Sequence, residues 1–392
     1  MENAPKIAVL VVLALVVGSI FIATSKEYSK SVSDKTVEQT NNLIRPEQAA
    51  NMAFDFGILQ PFVNDAMITD IDSNGKTVYT THVHKGKSRA ALLEPGYLEQ
   101  LLNRLCNSGA INDQFNYEHP KLDGEIDGLR IHATHRSFST SGFTLSIRKN
   151  PIELVITPKT AKKTKYCSSA IFDFLRACVI ARMSVIFGGE VGTGKTQLMK
   201  TMLSMCDDQA SIVLLSDIDE MRMLELYPQR NIRQYIINDI MSYTAATSCI
   251  LRDNADYVCF QEVRDEAVDD LLLVLSSSAR VTATVHLTNA LLMPQRLIQL
   301  SNNKNDKHLL STIHDYIQVC IVPKKEILNG KTYRYIGQIA MFWNDENRQP
   351  HKQLIYEQRG HTAYMKPLPR YFEDYFSNQN IDLDWRECIE EI

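Results

Sequence analysis

Gly189-Glu190-Val191-Gly192-Thr193-Gly194-Lys195-Thr196 spells G-x-x-x-x-G-K-T, a spacing suited to cradling a polyphosphate. The glycines allow the backbone to turn its N–H groups inward. Lys195 can then reach the terminal phosphates, and the Thr196 hydroxyl can sit on Mg²⁺. Met183–Phe187 reads as a short buried strand entering the loop, and Leu198, Met199, Met202, Leu203 and Met205 recur at helical spacing after it. A helix N-terminus would therefore face the phosphates. The competing reading, an ordinary Gly-rich turn before a helix, gives way because strand and helix are both in place. Gly189, Glu190, Val191, Gly192, Thr193, Gly194, Lys195, Thr196 and Gln197 are the candidate nucleotide-binding residues, with ATP and Mg²⁺ as the expected cofactors.

Further polar residues follow apolar runs downstream. Glu262 ends Tyr257–Gln261, where a carboxylate can join the Mg²⁺ shell or orient an attacking water; Thr196 and Glu262 are the candidate metal-binding pair. Asp217, Asp219 and Glu220 follow Ser211–Leu215 and suit metal or water positioning, or a solvated N-cap. His286 ends Val281–Val285, placed either to sense a terminal phosphate or simply to pack. Phosphoryl transfer also gains from a late-placed cation, and Arg130, Arg148, Arg252 and Arg264 are candidates; spacing alone does not separate them from surface ion-pair partners.

The elements that must position these groups can be read coarsely. The chain has 392 residues, enough for two or three domains, and its 44% hydrophobic content is that of a globular protein. Residues 168–348 alternate helices with short apolar strands, the mark of an α/β unit with a largely parallel sheet. Upstream, 43–150 reads as a small α+β domain: Tyr97–Cys106 is a helix with Leu98, Leu101, Leu102 and Leu105 on one face, and Leu129–Ala133 and Phe143–Arg148 are strands. Residues 151–167 read as a linker. Lys331–Gln358 reads as a hairpin or meander, and residues 349–392 form a C-terminal extension of unassigned role that ends in a short acidic helix over Asp382–Ile392. The eight cysteines lack any C-x-x-C pair and read as reduced core residues. A net charge of −4 and the lack of a basic, aromatic-interleaved stretch argue against a nucleic-acid translocase, so no direct nucleic-acid binding is expected.

The N-terminus is distinct. Ile7–Thr24 is uncharged and apolar, about 27 Å long as a helix against a hydrocarbon core of ~30 Å. Lys26, Lys30 and Lys35 follow it, so the positive-inside rule predicts a transmembrane anchor over 1–26 with its N-terminus outside, a polar juxtamembrane linker over 27–42, and a cytoplasmic remainder. The alternative is a signal peptide cleaved near Ala23-Thr24-Ser25, which would export a nucleotide-binding domain away from ATP.

The motif order resembles the type II/type IV secretion and pilus "traffic" ATPases. Gly188–Thr196 is similar to that family's Walker A, Ile212–Glu220 to its acidic box, Leu251–Asp265 to its Walker B region and Thr284-Val285-His286 to its histidine box. Leu129–Lys149 is similar to the end of the N-terminal domain in the conjugation/type IV secretion and Tad-type pilus-assembly branch. The resemblance covers roughly 60–345. It implies a RecA-like P-loop NTPase domain preceded by a small α+β, PAS-like domain, and an ATPase ring, commonly a hexamer, working with inner-membrane proteins of a secretion or pilus machine. It also implies catalytic roles for Glu262, His286, Arg130, Arg148 and Arg252, with Asp217 or Glu220 supplying the acidic box. The sequence departs from the pattern at two site positions and at the membrane. Ser216 stands where the acidic box opens with Glu, which leaves a weakly hydrolysing assembly scaffold as the alternative to a motor. Gln261 stands where glycine precedes the Walker B Glu. Most relatives in the branch have no membrane helix of their own.

Overall fold

Alternation and loop chemistry explain the first part of the fold. The computed structural model describes residues 54–392 except 84, 109–110, 112–113, 239, 265–266, 278 and 329–330. Six strands, β1 (Ile68–Ser73), β2 (Thr77–His82), β3 (Gly86–Leu92), β4 (Lys121–Ile126), β5 (Leu129–Thr134) and β6 (Thr144–Lys149), form an antiparallel sheet in the order β3-β2-β1-β6-β5-β4. Leu129, Ile131 and Ala133 on β5 and Leu145 and Ile147 on β6 are buried, so their neighbours Arg130 and Arg148 project from the opposite face. Helix Tyr97–Asn107 buries the four leucines expected of it. Asp127 and Gly128, both at positive φ, turn β4 into β5; Asp-Gly is a strong hairpin signal.

The second sheet has ten strands: β7 (Val185–Gly188), β8 (Ile212–Ser216), β9 (Ile232–Ile236), β10 (Tyr257–Phe260), β11 (Arg280–Val285), β12 (Val319–Leu328), β13 (Lys331–Asn344), β14 (Pro350–Arg359), β15 (Thr362–Met365) and β16 (Cys388–Glu391). Their order is β16-β15-β14-β13-β12-β7-β11-β10-β8-β9. From β12 to β9 every pairing is parallel, whereas β12 through β16 pair antiparallel. The four strands expected around the site fall within two residues of their predicted bounds. They are buried end to end apart from half-buried Arg280, as strands covered by helices on both faces must be. Two apolar cores result, one containing Phe187, Leu198, Met199 and Met202 and the other Ile186, Phe260, Val281 and Leu271.

Some features differ from expectation. Within 151–167, Pro158–Thr164 is a helix: Thr157 accepts a hydrogen bond from the Thr160 N–H, and Pro158 occupies the first turn, where its missing N–H costs nothing. The expected tail helix is instead strand β16, because β15 offers it an open edge (Ile389 opposite Tyr364). Trp385 reinforces that path, donating its indole N–H to the Lys366 carbonyl at 2.8 Å and packing on Phe174 with ring centroids 5.1 Å apart. The predicted membrane segment and juxtamembrane linker lie outside the described residues. Among the described residues, no helix is long and apolar enough to cross a membrane. Residues Phe56–Ile392, containing both sheets, make one compact unit.

Candidate active site

In-register parallel pairing brings the carboxyl ends of four strands to one edge: Gly188 pairs with Val285, Ala283 with Phe260, and Phe260 with Leu215. The P-loop leaves β7 here, Glu262 follows β10, His286 follows β11, and Asp217–Glu220 follow β8. Strand β11 separates the P-loop strand from the Glu262 strand. Arg252 precedes β10, at its amino end, and therefore lies on the opposite edge of the sheet, exposed. It is the one predicted site arginine that the fold does not bring to the P-loop.

The P-loop is built as a cradle. Gly189 sits at φ 146°, and a Cβ there would come within 2.7 Å of Thr193 Oγ1. Thr193 is buried and donates to the Glu190 carbonyl at 2.8 Å, bracing the turn. Lys195 Nζ donates to the carbonyls of Gly189 (2.8 Å) and Glu190 (3.0 Å). Burial pushes its ammonium pKa down, against the opposing pull of Glu262, Glu220 and Glu190. Helix Lys195–Ser204 starts at Gly194 without a side-chain cap, leaving its first N–H groups to a ligand. Gln197 lies in the first turn of that helix, its Oε1 buried and without a hydrogen-bond partner.

Glu262 has a basic side chain at each carboxylate oxygen. Arg264 donates to Oε2, and His286 Nε2 lies 3.1 Å from Oε1, an ion-pair distance that lacks hydrogen-bond geometry. Burial alone would raise the Glu262 pKa, but Arg264, His286 and Lys195 outweigh it and hold the carboxylate below its ordinary value. Oε1 is buried with no hydrogen-bond donor. A buried, ionised oxygen of that kind fits a hard divalent cation or a polarised water.

Glu220 is one point where the two sheets meet. Its Oε2 accepts from Thr196 Oγ1 at 3.4 Å, while Oε1 lies 3.4 Å from Arg130 Nη1 and 3.8 Å from Arg148 Nη1. Arg130 and Arg148 are register partners on β5 and β6. Like charges directly opposite repel, so the pair needs anions around it. Asp70, the register partner of Arg148 on β1, supplies one by accepting from Arg148 Nε at 3.0 Å. Asp217 is exposed and, among the described residues, makes no contact of this kind, and Asp219 is turned to the Arg222 N–H at 2.8 Å. Ser216 is fully buried and accepts from Gln234 Nε2 of β9 at 2.6 Å. Gln261 finds room by burying its side chain, leaving Oε1 without a partner.

Two site residues escaped the sequence reading. Lys325 and Arg334 are opposite one another on β12 and β13, and both reach P-loop carbonyls: Lys325 Nζ to Val191 at 3.3 Å and Arg334 Nε to Gly192 at 2.8 Å. Arg334 Nη1 also donates to the Val83 carbonyl of the first sheet's β2–β3 turn, at 3.3 Å. Only the hairpin register, invisible in one dimension, makes the two a pair.

A P-loop at the carboxyl edge of a parallel sheet, with a carboxylate two strands away, defines a P-loop nucleotide-binding protein. The profile of the type II/IV secretion system protein family matches residues 140–335, and the chain belongs to that family. It is similar to an uncharacterized protein of Bacillus anthracis, 23% identical over 256 residues that cover 62% of this chain and 56% of that protein. The chain thus spans little more than half the length of that relative. It is similar also to the conjugal transfer protein TrbB of Rhizobium radiobacter, 23% identical over 311 residues, covering 77% of this chain and 92% of TrbB. Among solved structures, the ATPase DotB of Yersinia pseudotuberculosis shares the fold with a TM-score of 0.53 at 13% identity, covering 72% of this chain and 77% of DotB.

Proposed function

We propose that this chain is an Mg-ATP-hydrolysing motor subunit of a conjugation, type IV secretion or type IV-like pilus assembly machine. The observation that carries the reading is the convergence on Glu220: Thr196 of the P-loop on one side, Arg130 and Arg148 of the other sheet on the other. Groups that clamp phosphate and neutralise developing charge are what phosphoryl transfer requires of a protein. In this account Lys195 and the P-loop N–H groups bind the phosphates. Glu262, held ionised, orients water, and His286 and Arg264 fix Glu262. Thr196, Glu262 and Glu220 are the groups that would hold Mg²⁺, which when bound neutralises phosphate charge. The names of TrbB and DotB support the machine and the ATPase activity respectively. Assembly into a ring, commonly a hexamer, and attachment through the apolar 7–24 segment to a membrane with partner proteins complete the proposal.

A nucleotide-binding scaffold with weak turnover is the second reading, favoured by Ser216, whose buried hydroxyl leaves no carboxylate at that point of the acidic box. Glu220 weighs against it by taking the place beside Thr196. Steady-state phosphate release by the full chain with Mg-ATP, compared with Lys195→Ala, separates the two. The motor predicts turnover on the order of 10³-fold above that variant; equal rates with intact ATP binding would leave the scaffold.

A further inference from the structure

Lys200 has no part in the chemistry above, yet it is a fully buried lysine on the P-loop helix, one turn beyond Thr196. Its ammonium donates to two successive carbonyls, Pro151 at 2.9 Å and Ile152 at 2.6 Å, in the segment joining the two sheets. The next residue, Thr201, is buried as well and donates to the Ile156 carbonyl at 2.8 Å. One helix therefore presents its N-terminus to the phosphate loop and grips the connecting segment with its flank.

The segment gripped is the direct continuation of β6. Arg148 meets Asp70 and Glu220. Lys149 Nζ donates to the carbonyls of Phe62 (2.7 Å) and Asp65 (2.6 Å). The Asn150 N–H donates to Gly128 O at 3.1 Å, and its carbonyl accepts from Arg222 Nη1 at 3.4 Å. Pro151 and Ile152 are then held by Lys200. Only two residues separate Arg148 from the clamp, so the clamp sets where β6 and its register partner β5 stand over the P-loop.

We propose that Lys200 is a positioning residue that, by tying Pro151 and Ile152 to the P-loop helix, fixes Arg148 and Arg130 above Thr196. The inference rests on the reading of that site as one that binds a nucleoside triphosphate. Burial lowers the ammonium pKa to about 8, partly countered by Asp219, while Arg222 lowers it further and Glu153 and Glu225 raise it. At neutral pH the amine stays charged and donates. A buried charge is a costly way to tie a linker, whereas it holds two carbonyls more tightly than a neutral donor would.

Two measurements on the full chain test this. Amide exchange at pH 7 should accelerate over 150–157 in Lys200→Met by about tenfold or more, with the P-loop helix unchanged. In the same variant the affinity for AMP-PNP relative to ADP should fall about tenfold while ADP affinity holds within about twofold, because the displaced arginines serve the terminal phosphate. Combining Lys200→Met with Arg148→Ala should lower that ratio no further than Arg148→Ala alone, and Lys200→Arg should preserve it. Unchanged exchange over 150–157, or an equal loss of both nucleotides, would overturn the proposal. If Lys200→Met does not fold, Thr201→Val, which removes only the second tie, must shift both readouts in the same direction by less. If the wild type binds neither nucleotide, the site reading fails, and the exchange measurement still decides whether the clamp holds the linker.

Discussion

The sheet edge that carries the P-loop, Glu262 and His286 and the strand pair that carries Arg130 and Arg148 meet at Glu220, and they are held in different ways. On the P-loop side each functional group follows the carboxyl end of a buried parallel strand and is braced by its own neighbours, as Thr193 is by Glu190 and Glu262 by Arg264. On the other side the two arginines stand opposite one another on an antiparallel sheet, and their placement depends on contacts across the junction: Glu220, Lys200 and Arg334. The first half is locally specified. The second is assembled, and hydrolysis in this account needs both.

On the P-loop edge itself, the largest effect is expected at Glu262. Glu262→Gln keeps the shape but removes the ionised oxygen, so turnover should fall on the order of 10²-fold or more while ADP affinity stays within about threefold; a proportional loss of ADP binding would move Glu262 from chemistry to structure. Next in size is Ser216. Restoring the family's acid by Ser216→Glu would place a carboxylate at a fully buried site bonded to Gln234, so we expect a loss of stability of about 3 kcal/mol in denaturant unfolding and no gain in turnover. Increased turnover at unchanged stability would show that the acidic box was waiting for that residue.

Lys200 sharpens the contrast through pH. Its folded pKa is about 8 against an ordinary 10.5. Between those values the unfolded chain holds more protons, so rising pH favours the folded state through this group, and its burial cost is fully present only below pH 8. The stability of the wild type relative to Lys200→Met should therefore improve by about 2 kcal/mol between pH 7.5 and 9.5. Buried cysteines such as Cys178 and Cys259 titrate in both proteins and cancel in the difference. A flat difference would mean the amine is not desolvated. The smallest effect is expected at Arg252, exposed on the far edge of the sheet: Arg252→Ala should alter turnover of the isolated subunit by less than about twofold.

Legibility followed the same division. The P-loop and the strands beside it are contiguous signals, and their residues lie where periodicity and loop spacing put them. Arg130 and Arg148 could be singled out only through the family resemblance, because nothing in the spacing of two arginines 18 positions apart says they are register partners. Arg252 was carried over on the same ground, yet the strand direction puts it at the opposite edge. The Asp127-Gly128 turn and the Thr157-Pro158 helix start carry turn and cap signals, but the reading of 151–167 as a linker passed over the second and the first was not used. Lys200, Lys325 and Arg334 carry no such signal: in the sequence each is a surface cation, and only tertiary packing turns it toward carbonyls. The last strand was misread as a helix because an open sheet edge, not local propensity, decided its form.

The central claim is that both halves make one catalytic site. It is tested most directly by single-turnover hydrolysis of Mg-ATP in Arg148→Ala and Arg130→Ala, with ADP affinity measured alongside. Each variant should lose hydrolysis on the order of 10³-fold while binding ADP within about threefold of the wild type. Hydrolysis at the wild-type rate in both variants would contradict it, leaving the P-loop edge to act alone.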